Sequence, residues 1–427
     1  MSSVRTATSG GPRTLEGAAP AATGCREPVP VLDHDQALRT VDELSAIFAG
    51  GAAERDRERL LPFEEVALIK RSGLLGISVP AGYGGGDAPP STVAAVFRRL
   101  AAGDPNLAQI VHSHFVYVNF TLQCASEEQK AAILRQVVAG RLLANAQAER
   151  GGRTAREVAT RLLPGPGDGG LCLDGTKYYC TGTPFADLLA VLARLEDPEG
   201  HSGLPGGEHV VFVPANIPGV APVDDWDGIG QRVTGSGSVL FDNVAVLPEW
   251  VVPRRVLDRA NGYGAFAQLL HAAIDVGIAG AALADAVRFL TTRSRPWHEA
   301  GVERAEDDPL AIQRFGELSV ELTAAEAVLD RAGRAVDAVF ADPAEETATR
   351  ASVDVASAKV LAEQASLRIS STLFEVCGTR SATRTDALDR HWRNARTHTL
   401  HDPARWKYQH LGRHLLTGQA PPRSASF

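Results

Sequence analysis

The hydrophobic period of this chain changes twice, and no single class of secondary structure accommodates that. Up to about residue 142, "DHDQALRTVDELSAIFAG" and "PFEEVALIKRSG" carry apolar residues at steps of three and four and end near glycine. "PPSTVAAVFRRLAAGDP" repeats the arrangement with proline at its start. Between 143 and 256 the apolar runs become short and rich in β-branched, aromatic and aliphatic residues. They read "LCLDGTKYYCTG", "DLLAVLARL", "EHVVFVPA" and "GSVLFDNVAVLP", with Gly, Pro, Asp and Asn clusters between them. From about 262 helices return and are longer. In "IQRFGELSVELTAAEAVLDRAGRAVDAVF" the residues Phe315, Leu318, Leu322, Ala325 and Leu329 form one stripe of a bundle helix. "VDVASAKVLAEQASLRISSTLFEVCG" is a second such helix, with Gly378 as its C-cap. The expected fold class is therefore α+β: an N-terminal helical domain over 31–142, a middle β-barrel or sandwich domain over 143–256, and a C-terminal helical bundle over 257–427.

At 427 residues the chain is long enough for that many cores. Residues 1–30 are rich in Gly, Ala, Ser, Thr and Pro without a long apolar run, which predicts a disordered leader and neither a signal peptide nor a membrane span. A net charge of -8 gives no electrostatic reason to expect nucleic acid, and no membrane partner is expected. The five cysteines are scattered and never spaced C-x-x-C, which predicts neither a disulfide framework nor a zinc ribbon and suits a reducing cytoplasm.

Three motifs invite a chemical reading. "GISVPAGYGGGDAPPSTVAAVF" leads a strand-like run through glycines into a helix, but a dinucleotide fingerprint would need glycine where Asp87 stands. It reads as a flexible turn. In "HSHF", His112 and His114 are two apart and point to different helix faces, so at most one faces a given pocket. "NARTHTLHDPARW" places His398 and His401 on one face of a helical turn, followed by Asp402 and Pro403. That pattern suits a structural pair at a helix end, a metal site lacking a third ligand near in sequence, or a proton-handling site.

"FEVCGTRSATRTDALDRHWRNARTHTLHDP" resembles the C-terminal segment of the acyl-CoA dehydrogenase superfamily, and "VPAGYGGGD", "LDGTKYYCTGTPFADLLAV" and "GSVLFDNVAVLP" look like its loop and β-domain strands. The resemblance runs in order from about 35 to 415. Its departures are informative: His401 stands at the place of that family's catalytic tyrosine, Asp402 at the place of its glutamate, and Asp275 where an arginine is common. A carboxylate one methylene shorter and next to proline is a poor base for a substrate α-carbon, which speaks against acyl-CoA oxidation with Asp402 as base. A non-enzymatic or metal-binding helical protein is the other alternative.

The changed motif, with "KYYCTG", "DWDGIGQRVTGSGSV" and "RSRPW", resembles the flavin-dependent monooxygenase branch of the dibenzothiophene monooxygenase and sulfur-acquisition type. The resemblance implies a two-component enzyme. A flavin reductase supplies reduced FMN, oxygen adds at the flavin C4a carbon, and the hydroperoxide transfers oxygen to sulfur, nitrogen or carbon of a small-molecule substrate. FAD is the alternative cofactor. It further implies His401 as the residue placed to protonate or hydrogen-bond the flavin peroxide, His398 as its neighbour near the isoalloxazine and Asp402 as a partner. Asn145 and Thr181 would line the flavin and Trp226 would wall the pocket. Arg295 and Arg380, with Gly378 in the same turn, would hold the phosphate, Arg293 being the fallback. Such phosphate contacts cross subunits in this superfamily, which implies a homotetramer or homodimer.

Overall fold

A computed structural model of the chain describes residues 28–151, 157–165 and 170–424. The leader expected over 1–30 lies outside the described residues except for its last three. Five helices come first: α1 (His34–Glu58), α2 (Phe63–Arg71), α3 (Pro90–Gly103), α4 (Pro105–Cys124) and α5 (Glu127–Val138). Asp33 starts α1 with a capping box, its carboxylate accepting from the Gln36 amide at 2.8 Å while the Gln36 side chain accepts from the Asp33 amide at 2.9 Å. Helix α4 is buried from Asn106 to Thr121, so no polar face is left to it.

The "GISVPAGYGGG" stretch forms no strand and is not a loose turn. It is two 3₁₀ turns, Leu74–Gly76 and Ala81–Tyr83, closed by bonds such as Ala88 N to Ile77 O at 2.7 Å. A Cβ on Gly86 would lie 2.3 Å from the Leu32 carbonyl oxygen, so this glycine allows backbone to pack on backbone.

The middle segment carries β1 (Leu143–Ala146), β2 (Arg161–Pro164), β3 (Leu171–Lys177), β4 (Leu188–Leu195), β5 (Gly207–Pro214), β6 (Val220–Val223), β7 (Ser238–Val246) and β8 (Val251–Pro253). They form one sheet in the order β6-β7-β3-β2-β4-β5-β8, with β1 also paired to β4. Among the described residues the end strands β6 and β8 do not pair with each other, so the sheet is not a closed barrel. The unbroken apolar run in β4 and β5 has a structural cause. Leu189, Val191, Val211 and Val213 face the sheet's own core, while Ala190, Val210 and Phe212 pack against Tyr117 and Phe120 of α4. Both faces are covered, so the usual polar alternation is lost.

The remaining helices are α6 (Tyr263–Arg293), α7 (Pro309–Ala341), α8 (Glu345–Cys377), α9 (Asp389–Thr399) and α10 (Ala404–Thr417). The stripe read in α7 is inward-facing: Leu318, Ala325 and Leu329 are buried, and Phe315 and Leu322 pack beside them. Helix α6 is long and apolar enough to cross a membrane, yet most of it is buried among α3, α4, α7, α8 and α9. The architecture is the α+β arrangement expected: helices, a middle sheet and a helical bundle.

Candidate active site

One stripe of α6 breaks its apolar character. Gln268, His271 and Asp275, at i, i+3 and i+7, share a face and are all buried. Buried polar groups are costly without partners, so the facing elements must supply them. Lys359 of α8 donates to Asp275 Oδ2 at 2.6 Å, and His398 of α9 places Nδ1 2.5 Å from Asp275 Oδ1. His398 Nε2 lies 3.0 Å from His271 Nδ1. His112 of α4 stacks on His271 with ring centroids 3.9 Å apart, and its Nε2 is bonded to the Ala267 carbonyl at 3.1 Å.

His401, in the turn between α9 and α10, lies 4.3 Å from His271 by ring centroids and directs Nδ1 at Asp402 Oδ2 over 3.3 Å. The same carboxylate oxygen accepts from Gln268 Nε2 at 2.7 Å, and Lys407 of α10 donates to Gln268 Oε1 at 3.1 Å. Four imidazoles from α4, α6, α9 and the following turn thus meet between two buried Asp–Lys sets.

Burial sets the charge state. It pushes His112 down to about 3 and His271 well below the ordinary imidazole value. It lowers His398 too, although the Asp275 carboxylate opposes it. For Asp275 burial acts upward, but Lys359 and His398 outweigh it and hold the carboxyl low. Asp402 is likewise held far below the carboxylate range by His401, Lys407 and Gln268 against its burial. Lys407 is lowered to about 8 by burial. Neutral imidazoles among charged carboxylates are suited to giving and taking protons.

Acid should therefore weaken the fold early. His112, His114 and His391 are lowered by burial to about 3, 4 and 4. Unfolded histidines titrate near about 6.5, so below that pH the unfolded chain binds more protons and stability falls as pH falls. Several kcal/mol should be lost between about pH 6.5 and pH 4, before the depressed carboxylates add their own loss at lower pH. Urea unfolding followed across that range checks this; a flat midpoint would contradict it.

The sequence-predicted residues divide into two groups. His398, His401 and Asp402 come together as described. Asn145 on β1, opposite Ala190 of β4, buries an Oδ1 that accepts from no group among the described residues; Gln109 Oε1 and Asn119 Oδ1 of α4 are equally unpartnered. Helical spacing puts Gln109 and Asn119 on the His112 side of α4. Thr181 Oγ1 pairs with Ser236 Oγ at 2.7 Å, and Trp226 donates to the Gln231 carbonyl at 2.8 Å. Gln231 N in turn donates to Asn394 Oδ1 of α9 at 2.7 Å, tying this loop to the histidine-bearing helix.

Arg295, Arg380 and Gly378 are elsewhere. Arg293 ends α6, 22 residues beyond His271 (293 − 271), which is about 33 Å at the helical rise. Arg295 is exposed, pairs with no group among the described residues, and lines a cavity of about 460 Å³ with Ser294, Gln313, Arg314 and Gly378. Arg380 donates to the Arg293 carbonyl at 2.8 Å, while the Arg293 guanidinium is engaged by Asp386.

Sequence reasoning missed His271, Gln268, Lys359 and Lys407, and noted Asp275 only as a departure. The available signal was "AFAQLLHAAIDVG", polar residues at three- and four-step spacing in an otherwise apolar helix. The structure also supplies the third metal-ligand candidate that the sequence lacked: His271, His401 and Asp402 offer ligand atoms within 4.8 Å of one another. Those groups already bond to one another, to Gln268 and to His398.

The chain is similar to known proteins over most of its length. Residues 33–141 match the acyl-CoA dehydrogenase N-terminal domain and residues 269–406 its C-terminal domain. The chain is 34% identical to a dibenzothiophene monooxygenase of Rhodococcus erythropolis, over 87% of its own length and 89% of that protein. It is 29% identical to SfnC of Pseudomonas putida, a probable FMNH2-dependent monooxygenase, over 91% and 96%. The crystal structure of TdsC from Paenibacillus sp. A11-2 with FMN and indole superposes with a TM-score of 0.86 at 33% identity, covering 92% of this chain and 100% of that one.

Proposed function

The chain belongs to the acyl-CoA dehydrogenase family and is a flavin-dependent monooxygenase that uses FMN; from that premise we propose that a separate reductase supplies the reduced FMN and that a small sulfur compound is oxygenated with His401 as the proton-handling residue. Asp402 carries this reading over acyl-CoA oxidation. Standing where a dehydrogenase base would, it is buried, bonded to His401 and Gln268, and held in its charged form far below the range in which it would take a proton.

The donors and acceptors present suit the cofactor. Asn145, Gln109 and Asn119 offer unpartnered buried oxygens to the N–H groups of the ring system. Thr181 and Trp226 would line it, and Arg295 and Arg380, beside Gly378, would hold the phosphate. Bound FMN supplies the electrons that activate oxygen. His401 supplies a positioned nitrogen: Nδ1–H donates to Asp402, which leaves Nε2 for proton exchange, and the side chain is 51% exposed, open to a ligand.

About 33 Å of α6 separates the histidines from the arginines, more than one FMN spans. The phosphate of a flavin at one chain's histidines would therefore meet another copy's arginines, in a homotetramer or homodimer. We place the protein in the cytoplasm, alongside a reductase.

The test is to supply FMN, a flavin reductase and dibenzothiophene as probe. Oxygenated product and tighter binding of FMN than of FAD are expected. Arg295→Ala should weaken FMN binding by about 2 to 5 kcal/mol if the phosphate site is desolvated. An unchanged Kd in a folded variant would move the assignment to Arg293, and dye reduction by acyl thioesters in place of oxygenation would sink the function itself.

A further inference from the structure

Three buried groups of the site, His271, Asp275 and Lys359, take no part in the reaction proposed above. Their hydrogen positions follow from the network. Asp275 is charged and only accepts, so His398 Nδ1–H donates to it across 2.5 Å. Neutral His398 then carries its lone pair on Nε2, 3.0 Å from His271 Nδ1. His271 must donate from Nδ1, which leaves its Nε2 as the free nitrogen of a ring set between His112 and His401.

We propose that His271 and His398 form a two-imidazole proton relay serving the His401 side of the site, with Asp275 as its positioning residue. A proton accepted at His271 Nε2 is matched by passage of the Nδ1 proton to His398 Nε2. His271 stays neutral, and the positive charge comes to rest on His398 against Asp275. The reverse transfer delivers the proton. No electrons move and nothing else is consumed.

The surroundings set the direction. Around these rings are His112 from α4, Asp275 from α6, Lys359 from α8 and His401 from the turn after α9. Glu363 of α8, itself near Arg396 of α9, acts on the pair through Lys359 and Asp275, and Gln268, Asp402 and Lys407 lie beside His401. Lys359 neutralises Asp275, so His398 is attracted enough to be oriented and too little to hold its proton against burial. What the proton is used for rests on the monooxygenase function proposed above.

Two measurements test the relay. In flavin-free protein labelled with ¹⁵N-histidine, NMR should show His398 and His271 protonated at Nδ1, the signals being assigned by their loss in His398→Asn and His271→Asn. Protonation of His398 at Nε2 alone would overturn the relay whatever the enzyme does. In the second, the protein with reduced FMN is mixed with oxygen and the return of oxidised flavin absorbance is followed against pH, with no substrate required.

His271→Asn keeps an N–H for His398 but cannot exchange a proton, so it should change the rate about tenfold or more and abolish its pH dependence. Asp275→Asn removes the counter-charge of the imidazolium, so the inflection should move to lower pH by about one unit or more. A folded His271→Asn protein with the wild-type pH profile refutes the relay. Failure of the wild type to bind FMN would instead refute the proposed function, with the tautomers still deciding the relay.

Discussion

His401→Ala leaves FMN binding nearly unchanged and cuts oxygen transfer by roughly a hundredfold, the usual scale for losing a positioned proton donor. Reduced flavin is still consumed, and its reducing equivalents appear as hydrogen peroxide instead of oxygenated product. The structure explains why binding and transfer separate. His401 is half-exposed in a turn and meets the interior through the His271 ring, whereas its hydrogen-bond partner, Asp402, is also held by Gln268. Asp402→Asn should be milder, because an amide still orients the imidazole. Were Asp402 a substrate base, the order would be reversed. Measuring product and peroxide for both variants with the same reductase decides the matter, and a fully coupled, fully active His401→Ala enzyme would remove His401 from its role.

Lys359→Met should cost about 3 to 5 kcal/mol of stability near pH 8, the scale for stripping one partner from a buried ion pair. Asp275 would remain in the interior with only a neutral imidazole beside it. The loss should be smaller near about pH 6, since Lys359 holds the His398 pKa down and its removal raises it. If His398 then titrates above its unfolded value, its protonation stabilises the fold below the unfolded pKa, and that stabilisation fades as pH rises through the folded one. Chemical denaturation of wild type and variant at both pH values checks the sign. Lys359→Met combined with Asp275→Asn should recover much of the loss, because removing both charges leaves none unpaired. A destabilisation independent of pH and not rescued by the double change would mean that Lys359 acts by packing alone.

Local residue chemistry determined more of this protein than its fold class. Period 3.6 against short β-branched runs separates helix from strand because each stretch must turn its apolar residues inward. The sequence alone therefore carried the succession of helices, sheet and bundle. It also carried the clustering of His398, His401 and Asp402, since polar groups this close in sequence stay together wherever the chain goes. It could not show that β4 and β5 are covered on both faces, because that depends on α4 arriving from outside the sheet.

Tertiary structure alone decided the interior of the site. His112, His271, Lys359 and His398 lie on four different helices, and only the packing of α4, α8 and α9 around α6 makes the polar stripe of α6 into a connected hydrogen-bond chain. Whether Asp402 is a base or an anchor was likewise not a property of the residue. His401, Lys407 and Gln268 hold its carboxyl low against burial, and those partners lie up to 134 residues away along the chain. A pKa follows from the groups surrounding a residue, and hydrogen bonds follow from distances, so neither can be read from local sequence until the fold has closed.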